Sequence, residues 1–253
     1  MPDDGPLEDP IAEAGRIADA AKKAGVKVKL LGGAGIHLHS PSATRPPLKR
    51  KYGDLDYAIS KKERKEVLAL FPSLGYEAND RFNLMNGDTR LYFYDAGHSR
   101  QVDIFIDVFK MSHVIDLRGR LEHDGPCASP ADLLLSKLQI YEVNRKDLVD
   151  VVALVLDHPI GAGDDLIDAA YIARVASQDW GMYRTLQLNI EKLIATVEEM
   201  DVDRDLVRSR IKEVWSAVEA QPKPLKWKLR AQVGDRLQWY ELPEEVRSPY
   251  QPE

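Results

Sequence analysis

Arg50-Lys51-Tyr52-Gly53-Asp54-Leu55-Asp56-Tyr57-Ala58-Ile59 is the stretch on which the fold turns. From Asp54 onward the side chains alternate in the period-two pattern of a strand, which puts Asp54 and Asp56 on one face. Ser60 and Glu63 then read as a capping box for a helix that buries Val67, Leu70, Phe71 and Leu74. Upstream, Val26-Lys27-Val28-Lys29-Leu30-Leu31 alternates in the same way and runs into Gly32-Gly33. Before it, Asp9 caps a helix with Pro10 in its first turn, apolar Ile11, Ala14 and Ile17, and Gly25 at its end.

Downstream, Asn86-Gly87 separates Arg81-Phe82-Asn83-Leu84 from Arg90-Leu91-Tyr92-Phe93-Tyr94, which is a hairpin signal. Gln101 to Phe109 predicts a further strand with Val102, Ile104, Ile106 and Val108 on one face. From Ser129-Pro130 the apolar spacing becomes helical, in stripes such as Leu148, Val151, Val152 and Val155. His158-Pro159 and Gly161-Ala162-Gly163 interrupt the helices, and Pro222-Lys223-Pro224 opens a different tail. The expected class is α+β: a mixed β-sheet core with flanking helices over 1–125, a helical domain over 126–221, and a basic and aromatic tail over 222–253.

A chain of 253 residues can bury a core without disulfide or metal scaffolding, and 44% hydrophobic with 30% charged residues is an ordinary globular composition. The single cysteine, Cys127, forms no internal disulfide. The start of the chain lacks a basic region followed by an apolar one, and no apolar run approaches a membrane span, so a cytoplasmic protein without membrane attachment is expected. The net charge of -6 argues against wholesale coating of nucleic acid but leaves room for a local basic groove.

Two carboxylates on one strand face repel, and a hard cation such as Mg2+ relieves that repulsion while orienting a nucleotide triphosphate. Asp103, central in a second strand, supplies a third carboxylate for a two-metal site suited to in-line attack on an α-phosphorus. Gly32-Gly33, between a strand and a helix start, leaves backbone amides open to phosphate oxygens.

The order strand, Gly-Gly, Asp-x-Asp and a lone Asp on a later strand resembles the signature of the DNA polymerase beta nucleotidyltransferases. More closely, Leu31-Gly32-Gly33, Arg50-Lys51-Tyr52-Gly53-Asp54-Leu55-Asp56, Lys137 and Arg145-Lys146-Asp147-Leu148-Val149-Asp150 are similar to the four motifs of the AbiEii-type nucleotidyltransferases, over roughly residues 28 to 157. The resemblance implies a nucleotidyltransferase-type sheet and a catalytic set of Asp54, Asp56, Asp103 and Lys137. Asp54, Asp56 and Asp103 would ligate two Mg2+ ions, while Gly32, Gly33, Arg50, Lys137, Asp147 and Asp150 would serve the NTP. It further implies transfer of a nucleoside monophosphate to an acceptor hydroxyl without naming the acceptor; the toxin-antitoxin members of the family, together with two basic clusters in this chain, favour RNA, possibly tRNA, and leave room for a cognate antitoxin protein as partner. Asp107 shares the expected strand face with Asp103, and the family position, after a hydrophobic residue near the strand start, favours Asp103. The interval between Gly33 and Asp54, with Pro41, Pro46 and Pro47, is longer than the family's and is expected to be an inserted lid.

Structural readings compete with each assignment. Asp54 and Asp56 are also compatible with a solvent-facing strand edge, Gly32-Gly33 with a tight turn, and Asp103 with an ion pair to Arg90 or Arg100. Lys137 suits a lysine snorkelling from a packed helix, and Asp147 and Asp150 suit capping or pairing with Arg145 and Lys146. His37-x-His39 lacks a third metal ligand at suitable spacing. Arg45, Lys49, Arg50 and Lys51 beside Tyr52 form a basic run fit to guide a polyanion, as do Lys223, Lys226, Lys228 and Arg230 around Trp227, which equally suit a terminal strand. Two other functions stay open: a small-molecule nucleotidyltransferase similar in core to the aminoglycoside-modifying ones, and a non-catalytic nucleotide-binding or antitoxin-like module.

Overall fold

The computed structural model describes residues 5–242; Met1–Asp4 and residues 243–253, the last part of the expected tail, lie outside them. The first helix, α1 (Pro10–Ala24), begins as expected: the Asp9 carboxylate accepts the amides of Ile11 and Ala12, and Gly25 closes the helix at φ 71°. It leads to β1 (Lys29–Leu30), α2 (Gly32–His39), a 3-10 turn at Pro41–Thr44, and β2 (Leu55–Ile59). Then follow α3 (Arg64–Ser73), β3 (Glu77–Ala78), α4 (Asp80–Asn86), β4 (Arg90–Asp95), β5 (Arg100–Ile106), β6 (Val108–Lys110) and β7 (Val114–Asp116).

The five-stranded sheet runs β1-β2-β5-β4-β3, with β2 and β5 parallel and the other pairs antiparallel. Register sorts its two faces. Leu55, Tyr57 and Ile59 align with Val102, Ile104 and Ile106, and this face packs on Ala14 and Ile17 of α1 and Val67 and Phe71 of α3. The other face carries Asp56 and Ala58 on β2, Asp103 and Phe105 on β5, and Arg90 and Tyr92 on β4. Ala58 and Phe105 join a second core that continues into the helices. The sheet is therefore apolar on one side and polar on part of the other.

The helical half comprises α5 (Pro130–Leu138), α6 (Arg145–Asp157), α7 (Ala169–Gln178), α8 (Trp180–Glu198) and α9 (Arg204–Ala220). Ser129 caps α5 with Pro130 in the first turn, and Leu148, Val151, Val152 and Val155 of α6 are all buried. Among the described residues no helix is long and apolar enough to cross a membrane.

Several local expectations fail. Asn86-Gly87 does not turn a hairpin: Asp80–Asn86 is helical, and the Asn83 side chain bonds both the amide (2.7 Å) and the carbonyl (3.1 Å) of Tyr92. Gly87 has φ -65°, so close packing on the Asn83 carbonyl, not a positive φ, is what excludes a side chain there. The Ser60 hydroxyl makes no capping bond; a 3-10 turn intervenes and Glu63 accepts the Lys27 amide instead. The strand expected over 101–109 breaks at Asp107, which sits at φ 60° and turns the chain out of the sheet, so Val108 pairs in the separate β6-β7 hairpin. Only Lys29 and Leu30 of the expected 26–31 strand enter the ladder, because the Val26 amide donates to the Ala21 carbonyl of α1 and the Lys27 amide to Glu63. In the tail, Leu225–Val233 is a helix, α10, rather than a strand, and Trp227 packs edge-on against Tyr183 of α8.

Candidate active site

The polar part of the sheet lies at the N-terminal end of β2, where β1 hands the chain to α2. The Leu31 amide donates to the Asp56 carbonyl at 2.7 Å, fixing the turn beside β2. Gly32 takes φ 60°, and a side chain there would run into the Asp56 carboxylate; one at Gly33 would collide with the Arg50 guanidinium. Gly32 is thus favoured by both conformation and space, and Gly33 by space alone. No side chain caps α2 and no acid belongs to its first turn, so its N-terminal partial positive charge meets the carboxylates of Asp56 and Asp150 from outside the helix.

Asp56 and Asp103 are register partners on adjacent parallel strands. Asp54, one step before β2, is exposed and accepts the Gln101 amide at 3.2 Å. Burial, reinforced by the charges of Asp103 and Asp54 and opposed by Lys137 and Arg90, pushes the Asp56 carboxyl up to about 7. Burial also raises Asp103, against the pull of Arg90, whose Nε lies 2.7 Å from its Oδ1. The ion-pair reading of Asp103 is thus realised with Arg90, while Arg100 binds the Leu7 and Glu8 carbonyls near Asp95. Asp107, four residues further along, lies at the other end of β5 and accepts the Lys61 amide.

Next to this group is a second one of opposite character. Arg50 makes a two-pronged ion pair with Asp150, Nε to Oδ1 at 2.7 Å and Nη2 to Oδ2 at 2.5 Å, and lies over the Tyr52 ring at 4.1 Å. Lys137 Nζ stands 2.6 Å from Asp147 Oδ1 and 3.1 Å from Asp150 Oδ2. Two cations thus meet two anions, joining the loop before β2 to α5 and α6. Burial works against the Lys137 charge, but Asp150 and Asp147 outweigh it and hold the ammonium above its ordinary range. Arg145 instead reaches Glu199, so the competing reading of Asp147 and Asp150 as partners of Arg145 is not realised.

The interval expected to be a lid is packed down: Ala43 and Leu48 enter the core, and the Ser42 amide and hydroxyl bond Asp157 of α6 at 2.7 and 2.6 Å. Arg45, Lys49 and Lys51 remain exposed along it. His37 and His39 diverge, the first edge-on to Tyr52 and the second to His158.

The donor set suits a hard divalent cation: three carboxylates gathered at one sheet end, one held up to about 7. Tyr92, register partner of Asp103, adds a fully buried hydroxyl with no hydrogen-bond partner. Sequence reading missed it, since a tyrosine in an apolar strand run carries no mark of function. As the side chains stand, no group of three or more His, Cys, Asp or Glu among the described residues is placed to hold a metal ion. Asp103 is turned to Arg90 and Asp54 to the Gln101 amide.

No family model matches the sequence, and no curated protein matches it. Among solved structures, the chain is similar to the antibiotic-resistance factor ANT(2'')-Ia at 16% identity and a TM-score of 0.40, covering 66% of this chain and 92% of that one. It is also similar to an antigenic nucleotidyltransferase-like protein from Paracoccidioides brasiliensis, at 16% identity and a TM-score of 0.39, with coverage of 87% and 96%. A third is JHP933 from Helicobacter pylori, at 12% identity, a TM-score of 0.35, and coverage of 89% and 97%. All three likenesses are distant.

Proposed function

We propose that this protein is a nucleotidyltransferase that moves a nucleoside monophosphate from an NTP to the hydroxyl of an RNA acceptor. The observation that carries this reading is the register pairing of Asp56 with Asp103 beside the uncapped N-terminus of α2. In the reaction the acceptor oxygen bonds the α-phosphorus, the bond to pyrophosphate breaks, and the hydroxyl proton passes through a carboxylate of the site to water. Mg2+ held by Asp54, Asp56 and Asp103 would supply charge neutralisation at the phosphates. The chain itself contributes the α2 amides, which receive phosphate oxygens at Gly32 and Gly33. The Arg50, Lys137, Asp147 and Asp150 network holds the loop, α5 and α6 in place around that helix start. The exposed Arg45, Lys49 and Lys51 favour a polyanionic acceptor. A role as the toxin of a toxin-antitoxin pair rests on the motif resemblance alone.

The test is incubation of the purified protein with Mg2+, each α-labelled NTP in turn, and either total RNA or a panel of small hydroxyl compounds. Label in RNA is the expected result. Label only in a small cationic compound moves the protein to the small-molecule class, and nucleotide binding without transfer to any acceptor supports the non-catalytic module.

A further inference from the structure

A cavity of about 370 Å3 opens on the same sheet face as Asp56 and Asp103. That volume lies in the range of small-ligand pockets. Arg90 belongs to both places: it lines the cavity, and its Nε is 2.7 Å from Asp103 Oδ1. A ligand held there stands one guanidinium away from the proposed catalytic carboxylates.

The lining specifies what fits. Half-buried Phe82 gives it aromatic surface over a floor of buried Phe105, with the Arg90 guanidinium 5.8 and 5.1 Å from their ring centres. Asn86 and Thr89 add a neutral amide and hydroxyl. The cations are Arg90 and Lys110, and among the described residues the one lining acid, Glu241, is 2.7 Å from Lys110 Nζ. Arg90 is held by Asp103 and Lys110 by Glu241, so among the described lining residues the charges are matched, and a planar, hydrogen-bonding ring finds the Phe82 face, the Asn86 amide and the Thr89 hydroxyl.

We infer that this cavity receives a base of the single-stranded RNA acceptor and presents its hydroxyl toward Asp103. The inference rests on the nucleotidyl-transfer reading above and adds to it a binding place for the acceptor, separate from the phosphate-receiving end of α2.

The experiment measures the affinity of fluorescein-labelled hexaadenylate RNA by anisotropy, and of Mg-ATP by calorimetry, for the full-length protein, Phe82→Ala and Thr89→Trp. Phe82 is half-buried and Thr89 is exposed, so Thr89→Trp fills the cavity from its rim with little risk to folding. Both variants are expected to bind the RNA at least about tenfold more weakly, the loss of one stacked base, with Mg-ATP affinity within about twofold. RNA affinity unchanged in both variants, or no RNA binding by the unaltered protein, overturns the inference while leaving nucleotidyl transfer standing if Mg-ATP still binds. A tenfold loss of Mg-ATP affinity with RNA affinity unchanged assigns the cavity to the NTP and overturns it too. Failure of any Mg-NTP to bind the unaltered protein overturns the transfer reading and this inference together.

Discussion

Two charged groups lie side by side in this molecule and differ in how their charges are balanced. Around Asp150, Arg50 and Lys137 match Asp147 and Asp150 charge for charge, and the cluster is a joint between loop and helices. At the end of β2, Arg90 pairs with Asp103 alone, Lys137 and Arg90 only partly offset burial and the neighbouring carboxylates, and the Asp56 carboxyl is driven up to about 7. A balanced buried network needs no ligand and costs much to break; an unbalanced one is a place where a cation is favoured. The first group should therefore report on stability and the second on activity.

The largest expected effect tests the second group. Asp54→Asn combined with Asp56→Asn should lower nucleotidyl transfer by about a thousandfold or more, since neutral amides replace anionic ligands, while the melting temperature stays level or rises. Asp103→Ala should match this loss and Asp107→Ala, at the far end of β5, should keep most activity. Wild-type turnover in the double variant would sink the assignment.

The balanced group should behave in the opposite way. Asp150→Ala leaves Arg50 without its two-pronged partner and Lys137 with only Asp147, both cations being largely buried. Urea denaturation should show a loss of about 3 kcal/mol, the scale for breaking a buried pair from one side. A loss below about 1 kcal/mol would mean that the network is more solvated than it looks.

The next effect is smaller and sharpens the contrast by pH. A carboxyl whose pKa is raised on folding, from about 4 to about 7 for Asp56, binds more protons in the folded state across that window. Its contribution to stability is complete below pH 4 and is lost as pH rises through 7. Metal-free protein should thus lose on the order of 2 kcal/mol over that interval through this group, after allowance for solvent screening. Asp56→Asn should abolish that component, and Mg2+ should offset it in the unaltered protein by binding the ionised form. Identical stability-against-pH curves for the unaltered protein and Asp56→Asn would refute the buried, mutually repelling arrangement.

What was legible in the sequence follows the same division. The β2 alternation, the Asp9 and Ser129 caps and the strand-to-helix turn at Gly32 are local features, and each was readable from a few neighbouring residues. Arg90 was legible as a partner of Asp103 only among alternatives, because a diagonal contact between β4 and β5 depends on register. Asn86-Gly87 misled for a comparable reason: its turn chemistry was overridden when Asn83 found the backbone of Tyr92. The Asp107 break, the anchoring of Ser42 on Asp157 and the orphaned Tyr92 hydroxyl depend on contacts distant in sequence, which no spacing rule displays.

The smallest expected effect concerns the segment that borders both groups. Between α2 and β2 the chain is tied to α6 through Ser42 and Asp157 and carries Arg45, Lys49 and Lys51 on its exposed side. Replacing these three with alanine should leave folding stability nearly unchanged, because none makes a buried contact. Mg-NTP affinity should also hold, since the α2 amides and the carboxylates stay in place. The acceptor is where the change should appear. Each phosphate neutralised by a lysine or arginine on a single strand contributes a log-affinity slope of about -0.7 against log salt. Three lost contacts should therefore flatten the slope for single-stranded RNA by about two units at most. A small cationic acceptor responds in the opposite sense, with affinity kept or improved once positive charge is removed. Salt titrations of RNA affinity for the two proteins measure this directly, and equal slopes would remove the segment from the acceptor path while leaving the carboxylate site as it stands.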